Sequence, residues 1–156
     1  MREGGDLLRG CSPPADFSEI PLYQLLWAKA ERQTGRIHPL ICHMLDVAQV
    51  TLAMWSDVLT DSIRRWFAGV LGLDTEAAGR LLAFWTALHD LGKASPAFQR
   101  QVPSIQSRLG EAGLPFPKLF SRETTPHGTI SVLVLEQVLQ SETGLGPRPT
   151  KRIAMA

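Results

Sequence analysis

The stretch Trp85–Gln99, WTALHDLGKASPAFQ, sets an imidazole (His89) beside a carboxylate (Asp90) in an otherwise apolar run, with an ammonium close behind at Lys93. Isolated charges in apolar surroundings are costly unless they are paired or bind a metal. Two adjacent ligands near a helix end can both reach one divalent ion, the imidazole through nitrogen and the carboxylate through oxygen. A third ligand from another helix would close the set. Lys93, four residues after His89 and three after Asp90, shares their face of the helix. On its own it reads as a basic residue complementing the helix dipole; beside an ion it would bind and neutralise phosphoryl oxygens during hydrolysis.

Three other histidines have to be weighed for the missing ligand. His43 lies inside HPLICHMLDVAQVTLAMWSDVL (38–59), a long helix whose Leu40, Met44, Val47 and Val50 or Leu52 make a core-facing stripe. Alone it reads as a satisfied core histidine. With His89 and Asp90 it becomes a ligand candidate, because the gap between them holds a helix and a turn and lets two long helices lie together. His38 stands five positions earlier, about 140° around a helix axis, so it reads as a cap or a surface residue. His127 follows the proline-rich connection GLPFPKLFSRETTP (113–126) at the start of a helix. It is a plausible cap, or else a nitrogen able to hold a second ion about 4 Å from the first, as in two-metal phosphodiester cleavage. Asp46 either steadies the His43 ring or sits at the surface.

The remaining segments read almost entirely as helix. PLYQLLWAKA (21–30) opens on a proline suited to a first turn, and ERQTGRI is a polar loop. SIRRWFAGVLG (62–72) is a short helix stopped by Gly69 or Gly72. The next begins at an Asp74 or Thr75 cap and ends at Gly92. Ser95 caps a further helix that Pro103 breaks or kinks. In 127–142 the spacing of Ile130, Leu133, Val134 and Val138 fits a helix better than a strand. The fold class is therefore all-α, without the βαβ alternation of nucleotide-binding sheets.

The chain has 156 residues, one domain's worth. Sixteen basic and 15 acidic residues give a net charge of +1, which argues neither for nor against nucleic acid, since one groove can be basic in a neutral whole. No run approaches the ~18 apolar residues of a membrane span. Residues 1–20 lack the apolar core of a secretory signal and read as a loose leader. Cys11 and Cys42 form no paired motif, which favours reduced thiols and a cytoplasmic location.

The pattern of His43 followed by His89–Asp90 on a helical background resembles the HD phosphohydrolase superfamily, metal-dependent enzymes that hydrolyse phosphate esters. That alone leaves the substrate open among nucleotides, cyclic dinucleotides and nucleic acids. LWAKA (26–30), HPLICHMLDVAQV (38–50), ALHDLGKASPAFQ (87–99) and PHGTIS (126–131) together look more narrowly like the HD nuclease domain of the CRISPR type I helicase–nuclease. The resemblance runs from about Leu22 to the end of the chain. It implies an HD-domain helical bundle that cuts single-stranded DNA using Mn²⁺, Ni²⁺, Co²⁺ or Mg²⁺, one or two ions per site. It implies that His43, His89 and Asp90 ligate the first ion, that His127 ligates a second, and that Asp90 and Lys93 take part in catalysis, Lys93 near the scissile phosphate. A helicase module, in the same polypeptide or a separate one, and a CRISPR surveillance complex are the partners it implies; a membrane is not.

The family pattern continues with a histidine pair and a later aspartate, whereas this sequence ends at KRIAMA. The expectation is therefore a partial HD domain over 21–156, with C-terminal helices missing. Arg36, Arg100, Arg108, Lys118 and Arg122 are candidate phosphate contacts for a strand lying in a groove. Two other functions remain open at this point: an HD hydrolase of small nucleotides, and a non-catalytic fragment or interaction module.

Overall fold

The computed structural model describes residues 20–31, 33–118, 126–143 and 146–147. After Pro21 the chain makes one helical turn, α1 (Leu22–Leu25), then extends into β1 (Trp27–Ala30). A single helix over 21–30 is thus corrected to a turn and a strand, and the reason is tertiary. The Trp27 N–H donates to Oε1 of Gln99 (3.1 Å), and Gln99 Nε2 donates back to the Trp27 carbonyl (2.9 Å). A backbone so occupied by a side chain 72 positions away has nothing left for a helix. β1 pairs antiparallel with β2 (Ile37–Pro39), with a bulge between Trp27 and Lys29. Ile37, read as loop, is therefore strand. The intervening turn needs a left-handed residue, supplied by Gly35 at φ +69°.

α2 (Leu40–Ala53) follows and widens into a π-helical turn, Met54–Val58. Thr60 caps α3 (Asp61–Leu71), and Gly72 ends it in the left-handed region at φ +67°. The Leu73 N–H then returns to the Ala68 carbonyl (3.0 Å), closing the helix end. Asp74, not Thr75, caps α4 (Thr75–Ala87) by accepting the Ala77 N–H at 2.7 Å.

α4 gives way at Leu88 to a 3₁₀ segment, Leu88–Ala94. Gly92 therefore does not act as a helix stop. It is the point where α7 (His127–Thr143) crosses: a Cβ on Gly92 would meet the His127 carbonyl oxygen at 2.0 Å. Ser95 caps α5 (Pro96–Gln99), and Pro103 occupies the first turn of α6 (Pro103–Glu111).

α2 and α4 pack side by side, and α7 packs on the 3₁₀ segment. The packed side of α4 is made of small residues, Ala78, Gly79, Ala83 and Ala87, which lets backbones approach closely. One apolar cluster gathers Trp27, Ile105 and Leu109 under the hairpin; another gathers Trp55, Ala68 and Ala78 at the far end of α4. The all-α class holds, with one small hairpin added. On α7 the expected stripe is corrected: Leu133, Val134 and Val138 are exposed, while Ser131 and Leu135 are buried. On α2, Leu52 is half-buried and Val50 exposed. Among the described residues no helix is long and apolar enough to cross a membrane.

Candidate metal centre

Three elements bring their polar residues to one point: α2 supplies His43, the 3₁₀ segment supplies His89, Asp90 and Lys93, and α7 supplies His127. Asp90 is the hub and is 3% exposed. Its Oδ2 lies 2.8 Å from His43 Nε2, 3.2 Å from His89 Nε2 and 2.6 Å from Lys93 Nζ. Its Oδ1 lies 3.1 Å from His127 Nε2. One carboxylate thus faces three imidazoles and an ammonium.

Burial pushes the Asp90 carboxyl up. Hydrogen bonds from Lys93 and His43, with the charges of His89 and Lys93, outweigh it and hold the group below the usual carboxylate range. The group is accordingly an anion, the form that ligates metals.

The His89 ring is oriented by a second bond. Its Nδ1 lies 2.7 Å from the Thr86 carbonyl, and a carbonyl only accepts, so Nδ1 carries the proton. In the neutral ring Nε2 is then a bare lone pair pointing at an anionic oxygen 3.2 Å away. Such a lone pair and the carboxylate can share a cation. The donors of His43, His89 and Asp90 all lie within 4.8 Å of one another. Two donors about 2.0–2.2 Å from a shared ion lie no more than about 4.4 Å apart, and Asp90 Oδ2 stands 2.8 and 3.2 Å from the two imidazole nitrogens, so the residues present fit a divalent metal. The mixed imidazole and carboxylate set suits Mn, Fe, Co, Ni or Zn by donor type.

The remaining sequence candidates are distributed as follows. His38 stands on β2 and pairs with Asp46 (Nε2–Oδ2 2.8 Å). Of the two readings of Asp46, the surface one is what the structure shows, with the carboxylate on His38 and not on the His43 ring. Arg100 donates from Nη2 to the Pro117 carbonyl at 2.7 Å, tying down the connection that follows α6. Lys118 and Arg36 are exposed, Arg108 is half-buried, and Arg122 lies outside the described residues, as does Cys11.

Sequence reasoning passed over two residues that organise the centre. Gln99, fully buried, donates from Nε2 to the Lys93 carbonyl (2.7 Å) as well as gripping Trp27. Ser131, 3% exposed, bonds to the Gly92 N–H and to the carbonyls of His89 and His127. A polar residue ending the apolar stretch SPAF, and a serine one turn after a histidine, were the available signals. Below them Phe98 packs on Trp27 (centroids 4.6 Å), meets the His127 ring edge-on (5.8 Å) and lies 5.7 Å from Lys93 Nζ.

Two clefts lie elsewhere. One of about 800 Å³ between α3 and α4 holds Arg64, Arg65 and Arg80, but Arg64 pairs with Asp61 and Arg80 with Glu76. The other, about 320 Å³ and almost wholly apolar, runs between α2 and α4 past Met44, Leu45 and Phe84.

Residues 27–156 match the family described as "Cas3, HD domain". The chain is 39% identical over 131 residues to the CRISPR-associated endonuclease/helicase Cas3 of Thermus thermophilus, covering 84% of this chain and 14% of that protein. Among solved structures, one described as a CRISPR-associated protein superposes with a TM-score of 0.74 at 45% identity, over 85% of this chain and 15% of that one. The ATP complex of T. fusca Cas3 superposes with a TM-score of 0.67 at 30% identity, over 84% and 14%. The chain spans about one seventh of the length of these relatives.

Proposed function

The chain belongs to the Cas3 HD-domain family, and from that premise we propose that it is a metal-dependent nuclease acting on single-stranded DNA in CRISPR defence. The observation that carries the reading is the convergence of His43, His89 and Asp90 at ligand spacing. In this proposal those three hold one divalent ion, and His127, opposite the second oxygen of Asp90, holds another. Bound there, such ions supply Lewis acidity to a phosphoryl oxygen and bring the pKa of water toward neutrality.

The chain's own residues do the rest. Asp90 offers both carboxylate oxygens as ligands, with its charge kept by Lys93 and His43. His89 presents Nε2 because Thr86 holds its other nitrogen. Lys93, 12% exposed at its side chain, has a donor free to turn from Asp90 toward a phosphoryl oxygen as charge gathers on it. Gln99 fixes the Lys93 backbone from below, so that only the side chain moves. The helicase activity named for the Thermus thermophilus relative, and the surveillance complex that the family resemblance implies, would be supplied by other polypeptide, in cis or in trans.

The test compares substrates. With Mn²⁺ or Ni²⁺ added, the chain is expected to degrade single-stranded DNA and leave nucleoside triphosphates intact, with the activity lost in Asp90→Ala. Hydrolysis of nucleotides without cleavage of DNA would overturn the substrate. Ion binding with no hydrolysis of either would favour a non-catalytic module.

A further inference from the structure

We infer that Ser131 is a positioning residue of the metal centre: its hydroxyl, fitted against the bare Cα of Gly92, sets His127 opposite Asp90. The inference rests on the reading of His127 as a ligand. Ser131 Oγ accepts the Gly92 N–H at 2.8 Å and lies 2.8 Å from the His89 carbonyl and 3.1 Å from that of His127, between which its one proton is shared. His89 and Gly92 are the i and i+3 residues of one 3₁₀ turn, and Asp90 lies between them. The hydroxyl therefore bonds both ends of the turn that carries two ligands, and at the same time the first residue of the helix that carries another.

Gly92 makes this approach possible. A Cβ there would lie 2.0 Å from the His127 carbonyl oxygen and 2.7 Å from the Ser131 nitrogen, distances that no side chain tolerates. Ser131 lies one helical turn beyond His127, so fixing Ser131 on the 3₁₀ turn fixes the rotation of α7 that aims His127 Nε2 at Asp90 Oδ1, 3.1 Å away. The outermost turn of a helix is its most easily frayed part, and the histidine is 43% exposed at its side chain. Among the described residues, the ring itself is held by its edge contact with Phe98 and by the carboxylate, and the hydroxyl anchors the backbone that carries it.

The test loads the 156-residue protein with Co²⁺ alone and counts, by NMR of ring-labelled histidine, the imidazoles with contact-shifted resonances. His127→Gln assigns the signal of His127. The wild type is expected to show three, from His43, His89 and His127. Ser131→Ala is expected to show two, that of His127 being lost, with Co²⁺ bound about 10–100-fold more weakly. Ser131→Cys, which keeps the volume but is a poor donor and acceptor, replaces the alanine variant if that does not fold, and is expected to behave the same way. Three shifted imidazoles in the variant would overturn the inference while leaving His127 a ligand. Loss of all three would also overturn it, since Ser131 would then serve the fold at large. Two in the wild type would show that His127 is not a ligand, and the inference would fall with that reading.

Discussion

His89 has one nitrogen committed to the Thr86 carbonyl and the other aimed at Asp90, the orientation in which Nε2 and the carboxylate can share a cation. Replacing it with alanine should weaken Mn²⁺ binding by two orders of magnitude or more, read by calorimetry; unchanged affinity would remove it from the ligand set. Lys93 predicts a different outcome. Its ammonium sits on the Asp90 oxygen that an ion would share. Lys93→Met should therefore leave Mn²⁺ affinity unchanged or tighter while cutting kcat about 10²–10³-fold, the loss typical of one donor to a developing anion. Asp90 adds a pH dependence. Its folded pKa is depressed, so its charge contributes stability that is fully present above the unfolded value of about 3.9 and lost as pH falls through the folded one. In metal-free protein, urea unfolding should show wild type more stable than Asp90→Asn at pH 5. Below about pH 4 that margin should close; a margin that widens on acidification would contradict the assignment.

At the scale of elements, Gln99 decides what 21–30 becomes. Its side chain binds the Trp27 N–H, the Trp27 carbonyl and the Lys93 carbonyl from a fully buried position. Gln99→Ala leaves those groups unpaired in the core, and each buried unpaired group costs about 1–3 kcal/mol. A fall in unfolding free energy of about 3 kcal/mol or more is expected, with β1 exchanging its amide protons faster; a loss under about 1 kcal/mol would mean that the hairpin stands without it. Residues whose periodicity and caps agreed were legible in sequence: Asp74 and Ser95 cap their helices, and Pro103 interrupts the segment that Ser95 opens. The strand at Trp27–Ala30 was not, because what extends it lies 72 residues away. The buried side of α7 was misread for a related reason. Hydrophobicity pointed to Leu133 and Val138, whereas the helix packs through a serine onto a glycine. A polar contact leaves no mark in an apolar pattern. The candidate ligands, by contrast, were visible as residue types in the HD stretch, and their convergence follows from α2 and α4 lying together.

The molecule as a whole leaves a good deal of apolar surface in solvent. Leu45, Phe84 and Val50 on the α2–α4 side, Trp66 and Val70 on α3, and Leu133 on α7 are each more than half exposed. Leu45 and Phe84 share one apolar groove, and contiguous apolar surface drives association. The 156-residue chain by itself should self-associate with rising concentration, seen by sedimentation velocity, and Leu45→Glu with Phe84→Glu should suppress it. A monomer at all concentrations would contradict that. Association leaves the centre itself unaffected on this account, because the 3₁₀ segment, α2 and α7 build it within one chain.

The central claim is that His43, His89 and Asp90 share a cation. Crystals grown with Mn²⁺ and measured at the manganese edge test it most directly. An anomalous peak is expected about 2.0–2.3 Å from both Nε2 atoms and the Asp90 carboxylate, with Lys93 displaced from Oδ2. A map with no peak there, and Asp90 still bonded to Lys93 and His43, would contradict it.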